Sequence, residues 1–215
     1  MSACCESQPR FTGEDPRFKR VLLAIIVINV TMFLVELGAG LLGQSMALQA
    51  DSLDFLADSA TYAITLLVIG KPVRIRSLAA LAKGLSLGAL GLWVAGGSLY
   101  RVFVLHQPDA VVMGGIGLLA FAANLACALL LLKWRDGDAN VRSVWICSRN
   151  DALGNLAVVL AASGVFLSGT PWPDLLVAAA MSALFLSGAW RIVRAAAGEM
   201  TAAQRVGADR VLTDG

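Results

Sequence analysis

The 215 residues are 58% hydrophobic and only 15% charged, with a mean hydropathy of +0.74, whereas a soluble domain carries about 45–50% apolar and about 25% charged residues. That composition excludes an ordinary water-soluble globule. The net charge of +2, with basic residues scattered in short segments between apolar runs, leaves no electrostatic footprint for a nucleic-acid partner.

The opening stretch MSACCESQPRFTGEDPRFKR contains no apolar run. It does not read as a cleavable signal peptide, so the first hydrophobic helix is expected to direct insertion. Residues 1–17 read as a disordered cytoplasmic segment. Its adjacent Cys4 and Cys5 have poor geometry for joint chelation, and an inert tail accounts for them as well as metal hand-over does.

Six apolar segments follow, approximately Phe18–Leu42, Met46–Ile69, Leu78–Leu105, Asp109–Leu132, Val141–Leu167 and Pro173–Val193. Crossing a ~30 Å hydrocarbon core takes about 20 helical residues, which each segment supplies. Lipid offers no partners to backbone N–H and C=O groups, so each span must be helical. The expected fold is an all-α integral membrane protein, a six-transmembrane-helix bundle over 18–195 with a short cytoplasmic tail over 196–215. Glycines such as Gly84, Gly88, Gly91 and Gly117 suit close helix contacts in such a bundle.

Lys and Arg gather on alternate connections. Arg10, Arg17, Lys19 and Arg20 precede the first span; Lys71, Arg74, Arg76 and nearby Lys83 lie between the second and third. Lys133, Arg135 and Arg142 lie between the fourth and fifth, and Arg191, Arg194, Arg205 and Arg210 close the chain. The other side has only Arg101. By the positive-inside rule both termini are cytoplasmic. After Arg194 the residues are small and polar, without a repeated apolar pattern, and no folded domain is expected there.

The second span, ALQADSLDFLADSATYAITLL, carries Asp51, Asp54 and Asp58. An ionisable group inside a span costs at least ~2.5 kcal/mol, so such groups usually face a cavity, pair, or bind an ion. Spacing of four puts Asp54 and Asp58 on one face. A rise of 1.5 Å per residue from Met46 puts them ~12 Å and ~18 Å deep, bracketing the bilayer centre. Two carboxylates there are either protonated or compensated by a cation, and exchange between those states is the elementary step of proton-for-metal antiport. Asp51 lies one turn outward and reads as structural or as part of an outer entrance.

The fifth span, NVRSVWICSRNDALGNLAVVLAA, holds Cys147 and Asp151, again four apart, with Asp151 ~15 Å from Val141. If these two antiparallel helices touch, Asp54, Asp58, Cys147 and Asp151 converge as four ligands of a tetrahedral site, the geometry zinc prefers. Oxygen with thiolate suits zinc, cadmium or cobalt better than magnesium or calcium. The structural alternative pairs the acids with Asn29, Asn124 or Arg149.

The stretch VELGAGLLGQSMALQADSLDFLADS, with CSRNDALGN and the WPD of TPWPDLLVAAAMSALFLSGAWRIVRAA, resembles the second, fifth and sixth helices of the cation diffusion facilitator family. That family comprises proton-coupled exporters of zinc, cadmium, cobalt, iron and manganese, and the resemblance covers nearly all of Phe18 to Ala195. It implies that Asp54, Asp58 and Asp151 are metal ligands, with Cys147 where the family usually has His or Asp. A thiol must ionise to ligate, so either a softer metal is favoured or Asn150 or water completes a three-carboxylate site. The resemblance implies a secondary active transporter of the inner cell membrane, a metal/proton antiporter rather than an enzyme. Zn²⁺, Cd²⁺ or Co²⁺ is its substrate, and no further cofactor is expected. The family's His-rich loops and its cytoplasmic sensing and dimerising domain have no counterpart here, so a short form is expected. The resemblance implies a homodimer, although the short form lacks the family's dimerising domain.

Glu36 and Asn124 have family-like placement without metal-ligand spacing, and helix-to-helix hydrogen bonding accounts for both. Cys127 reads as a small buried hydrophobe. His106 reads as solvated, and Asp136 and Asp138 as a hydrophilic turn rather than a calcium loop. The rival class is an intramembrane metal-dependent enzyme such as a CDP-alcohol phosphotransferase. Its pattern requires Asp-x-x-Asp-Gly-x-x-Ala-Arg, whereas Phe55 follows Asp54 here and no Ala-Arg appears. A non-transporting membrane subunit is the third possibility.

Overall fold

The computed structural model describes residues 16–68, 73–104, 107–134 and 139–213. The described residues form six α-helices: α1 (Pro16–Leu42), α2 (Met46–Val68), α3 (Val73–Phe103), α4 (Ala110–Leu131), α5 (Ala139–Ser168) and α6 (Trp172–Thr213). A single 3₁₀ turn, Leu132–Trp134, follows α4. The expected first and second spans start within two residues of α1 and α2. The helix α3 instead begins at Val73, five residues before Leu78, and α6 runs on to Thr213, far past Val193. Hydropathy marks the lipid-facing part of a helix, and these extensions are polar. Of the expected disordered segment 1–17, residues 1–15, with Cys4 and Cys5, lie outside the described residues, as do His106, Asp136 and Asp138, while Pro16 and Arg17 already belong to α1.

Polarity is distributed from the inside out. Leu129, Phe166 and Leu184 are 61%, 74% and 67% exposed, while Glu36, Asn155 and Asp174 are buried to 1% or less. In water that arrangement would be costly; in lipid it is required, because apolar side chains face hydrocarbon and polar groups must satisfy one another. Five of the helices are long and apolar enough to cross a membrane by length and composition. The sixth, α2, carries three aspartates along its length. It is also the helix that touches all five others, so neighbours shield the acids that would otherwise meet lipid.

The most extensive contacts are between α3 and α6, α4 and α5, and α1 and α2. Small residues allow the first of these pairs to close. A Cβ added at Gly84 would lie 2.8 Å from Val193 Cγ2, and one at Gly91 would lie 3.0 Å from Leu186 Cγ. One apolar cluster (Phe18, Leu22, Ile25, Tyr62, Cys127, Leu131) joins α1, α2 and α4. Another, including Met46, Leu53, Val94, Leu175 and Phe185, joins α2, α3 and α6.

Candidate metal centre

The position of the acidic helix is set at its first turn. The chain leaves α1 through a Schellman closure, with Ser45 N–H donating to Gly40 O (3.0 Å) and Gln44 N–H to Leu41 O (3.4 Å). Gln44 takes the left-handed conformation, φ 53°, that this motif requires. The first N–H groups of α2 then need acceptors. Ser45 Oγ accepts from Leu48 N (3.0 Å) and donates to Asp174 Oδ1 (2.6 Å). The Asp174 carboxylate accepts from Met46 N (2.8 Å) and Ala47 N (3.0 Å). A buried carboxylate of α6 thus caps α2 and fixes the depth and rotation of everything downstream.

From that anchor, α2 presents Asp54, Ala57, Asp58 and Thr61 to a cleft of about 280 Å³. The opposite wall brings Asn150, Asp151 and Gly154 from α5, Lys83 and Leu87 from α3, and apolar residues of α6 including Met181 and Phe185. Asp54 and Asp58 line the same cleft as Asp151, close enough for the carboxyls to influence one another. The Tyr62 hydroxyl, one turn further along α2, donates to Asp58 Oδ2. Two helices distant in sequence therefore bring three carboxyl groups into one partly open space. These carboxyls do not form a closed cage, and among the described residues no three His, Cys, Asp or Glu side chains are arranged to hold a metal ion as they stand.

The remaining expected residues separate into three groups. Asn150 lines the cleft, and its Oδ1 accepts from Arg149 Nη2 (3.2 Å); Arg149 stacks on Trp145 at 5.3 Å and does not line the cleft. The backbone of Cys147 lies in α5, but its side chain is outside the described residues. Asp51 turns away from Asp54 and Asp58 into a second, fully buried network. There Asn155 Nδ2 donates to Asp51 Oδ2 (2.6 Å), and Asn124 Nδ2 donates to Asn155 Oδ1 (3.0 Å). Asn124 is thus committed to Asn155 rather than to Asp54 or Asp58. Glu36 lies against Asp51 without completing a hydrogen bond to it, and neither of its oxygens has a partner among the described residues. Cys127 is free and buried in the apolar cluster of α1, α2 and α4.

Sequence reasoning missed four contributors. Asp174 sits in the quoted WPD but gave no sign of its partner. Tyr62 is four residues after Asp58, and Asn155 four after Asp151, spacings that placed both on the right faces. Lys83 was counted only as a topology charge, although it lies inside the third apolar segment.

The profile of the cation efflux transmembrane domain matches residues 22–201. Over 195 residues the chain is 27% identical to the zinc transporter ZitB of Yersinia pseudotuberculosis, covering 85% of this chain and 62% of that protein. It is 23% identical over 192 residues to the cadmium, cobalt and zinc/H(+)-K(+) antiporter of Bacillus velezensis, covering 82% and 61%. To the metal cation efflux system protein CzcD of Cupriavidus metallidurans it is 22% identical over 188 residues, covering 82% and 60%. The chain therefore spans about three-fifths of the length of these curated relatives. Because the family profile runs from the first helix to the last, through both helices that carry the facing carboxyls, this multi-pass membrane protein belongs to the cation efflux family.

Proposed function

We propose that the chain exports divalent transition-metal ions in exchange for protons, with Zn²⁺ the first candidate and Cd²⁺ or Co²⁺ the others. The observation that carries this reading is the approach of Asp54 and Asp58 on α2 to Asp151 on α5 across one cleft, in a chain of the cation efflux family. A metal ion drawing these three oxygen donors together compensates charges that lipid would penalise, and protons do so in its absence. Exchange between the two loads is antiport. Cys147, four residues before Asp151, is the proposed fourth ligand, with Asn150 or water as its substitute. Relatives named as zinc, cadmium and cobalt transporters favour transport over the phosphotransferase alternative.

The basic connections orient both termini to the cytoplasm, and the inner cell membrane is the proposed location. Metal then enters from the cytosolic side, and protons arriving from outside compete it off. Asp54→Ala and Asp151→Ala, each expressed at normal levels in a metal-sensitive host, are expected to abolish zinc uptake into inverted vesicles. Undiminished uptake in either variant would refute the site. A Cys147→Ser variant is expected to lose preference for cadmium over zinc in a binding titration, and an unchanged preference would remove the thiol from the ligand set.

A further inference from the structure

Among the described residues that line the cleft, Lys83 is the one cationic side chain. It comes from α3, whereas the carboxyls come from α2 and α5, and its attraction reaches both Asp54 and Asp58. Its backbone is held in place: the adjacent Gly84 packs so closely on α6 that an added Cβ would meet Val193 at 2.8 Å. The stem therefore starts from a rigid point, and the rotatable bonds of the four-carbon chain allow its compact ammonium to be repositioned. A membrane-embedded site with three carboxyls and no metal needs compensating charge on every transit, since uncompensated ions are expensive there.

We infer that Lys83 is a tethered counter-cation: its ammonium supplies one of the compensating charges at Asp54 and Asp58 while no metal is bound, protons supplying the rest, and an arriving divalent ion displaces it. This rests on the proposed metal site. The tether gives the ammonium a high local concentration, so a free monovalent ion, with the same single charge, gains nothing by replacing it. A divalent ion brings twice the charge and wins. Lys83 thus weakens metal binding and excludes monovalent salt ions, which makes it a specificity-determining residue that need not touch the metal.

The test is zinc binding to the purified full-length chain in detergent at fixed pH, comparing wild type with Lys83→Met, Lys83→Gln and Lys83→Arg. Loss of the competing charge is expected to tighten zinc binding about tenfold in the Met and Gln variants. Potassium chloride is then expected to compete with zinc in those variants but not in wild type, with choline chloride as the ionic-strength control. The Arg variant is expected to return affinity toward that of wild type. A lysine with only a structural role predicts the opposite sign, so unchanged or weaker zinc binding in variants that keep the wild-type thermal transition would overturn the inference. If wild type binds zinc and Lys83→Met binds no more tightly, only the role of Lys83 fails. If wild type itself binds no zinc, or binds it equally well after Asp54→Ala, the metal site fails and the inference with it.

Discussion

Asp58 and Asp151 are each followed, one helical turn later, by a residue of a different kind: Tyr62, which donates to Asp58, and Asn155, which donates to Asp51. The two have different consequences. A hydroxyl that orients a metal-binding carboxylate tunes affinity, and losing such a partner typically costs about 10–100-fold. Tyr62→Phe is therefore expected to weaken zinc binding about tenfold with the fold intact, as read by isothermal titration. Asn155→Leu strands the buried Asp51 and Asn124, which costs about 1–3 kcal/mol. Its expected signature is a lower thermal transition in detergent, with zinc affinity per folded molecule largely kept. The acids themselves were legible in the sequence, because a charge inside an apolar run is conspicuous at any position. Tyr62 and Asn155 were not, because each becomes meaningful only through its partner, and that of Asn155 lies 104 residues away.

Elements depend on junctions of the same kind. The helix α2 is the one whose composition least suits lipid, and its first three N–H groups are satisfied by Ser45 and by Asp174 of α6. Replacing a capping residue by Ala costs about 0.5–2 kcal/mol. Asp174→Ala is expected to fall at the upper end, because it also orphans the buried Ser45 hydroxyl; thermal unfolding of the purified protein measures it. Glycines divide by their surroundings rather than by their number. Gly84→Leu is expected to split α3 from α6 and lower stability sharply, whereas Gly96→Ala, with nothing within 4 Å of the added Cβ, is expected to be silent in the same assay. The spans were readable from hydropathy because lipid imposes length and apolarity together. The start of α3 at Val73 and the run of α6 to Thr213 were not, because outside the apolar zone a helix leaves no hydropathy signal.

For the molecule as a whole, the helix with three aspartates, α2, lies among five that cover it, with Asp54 and Asp58 on the side where α5, α3 and α6 meet it. That placement was only conditionally legible: the facing of Asp54 and Asp58 toward Asp151 required α2 and α5 to touch, and no spacing within either helix could establish the contact. The separation of Asp51 into the Asn155 network was likewise invisible, since one turn along a helix suffices to send a side chain toward a different neighbour. A cleft of this kind explains exchange better than storage: it is partly open, its donors approach without closing into a cage, and protons can neutralise the same groups that a metal would. The most direct measurement reconstitutes the purified chain into liposomes holding a zinc-sensitive dye and a pH indicator, then imposes a proton gradient. Zinc entry accompanied by outward proton movement, and the loss of both in Asp151→Ala, is the expected result. Zinc entry without proton movement, or equal entry in Asp151→Ala, would contradict a carboxylate-based metal/proton antiporter.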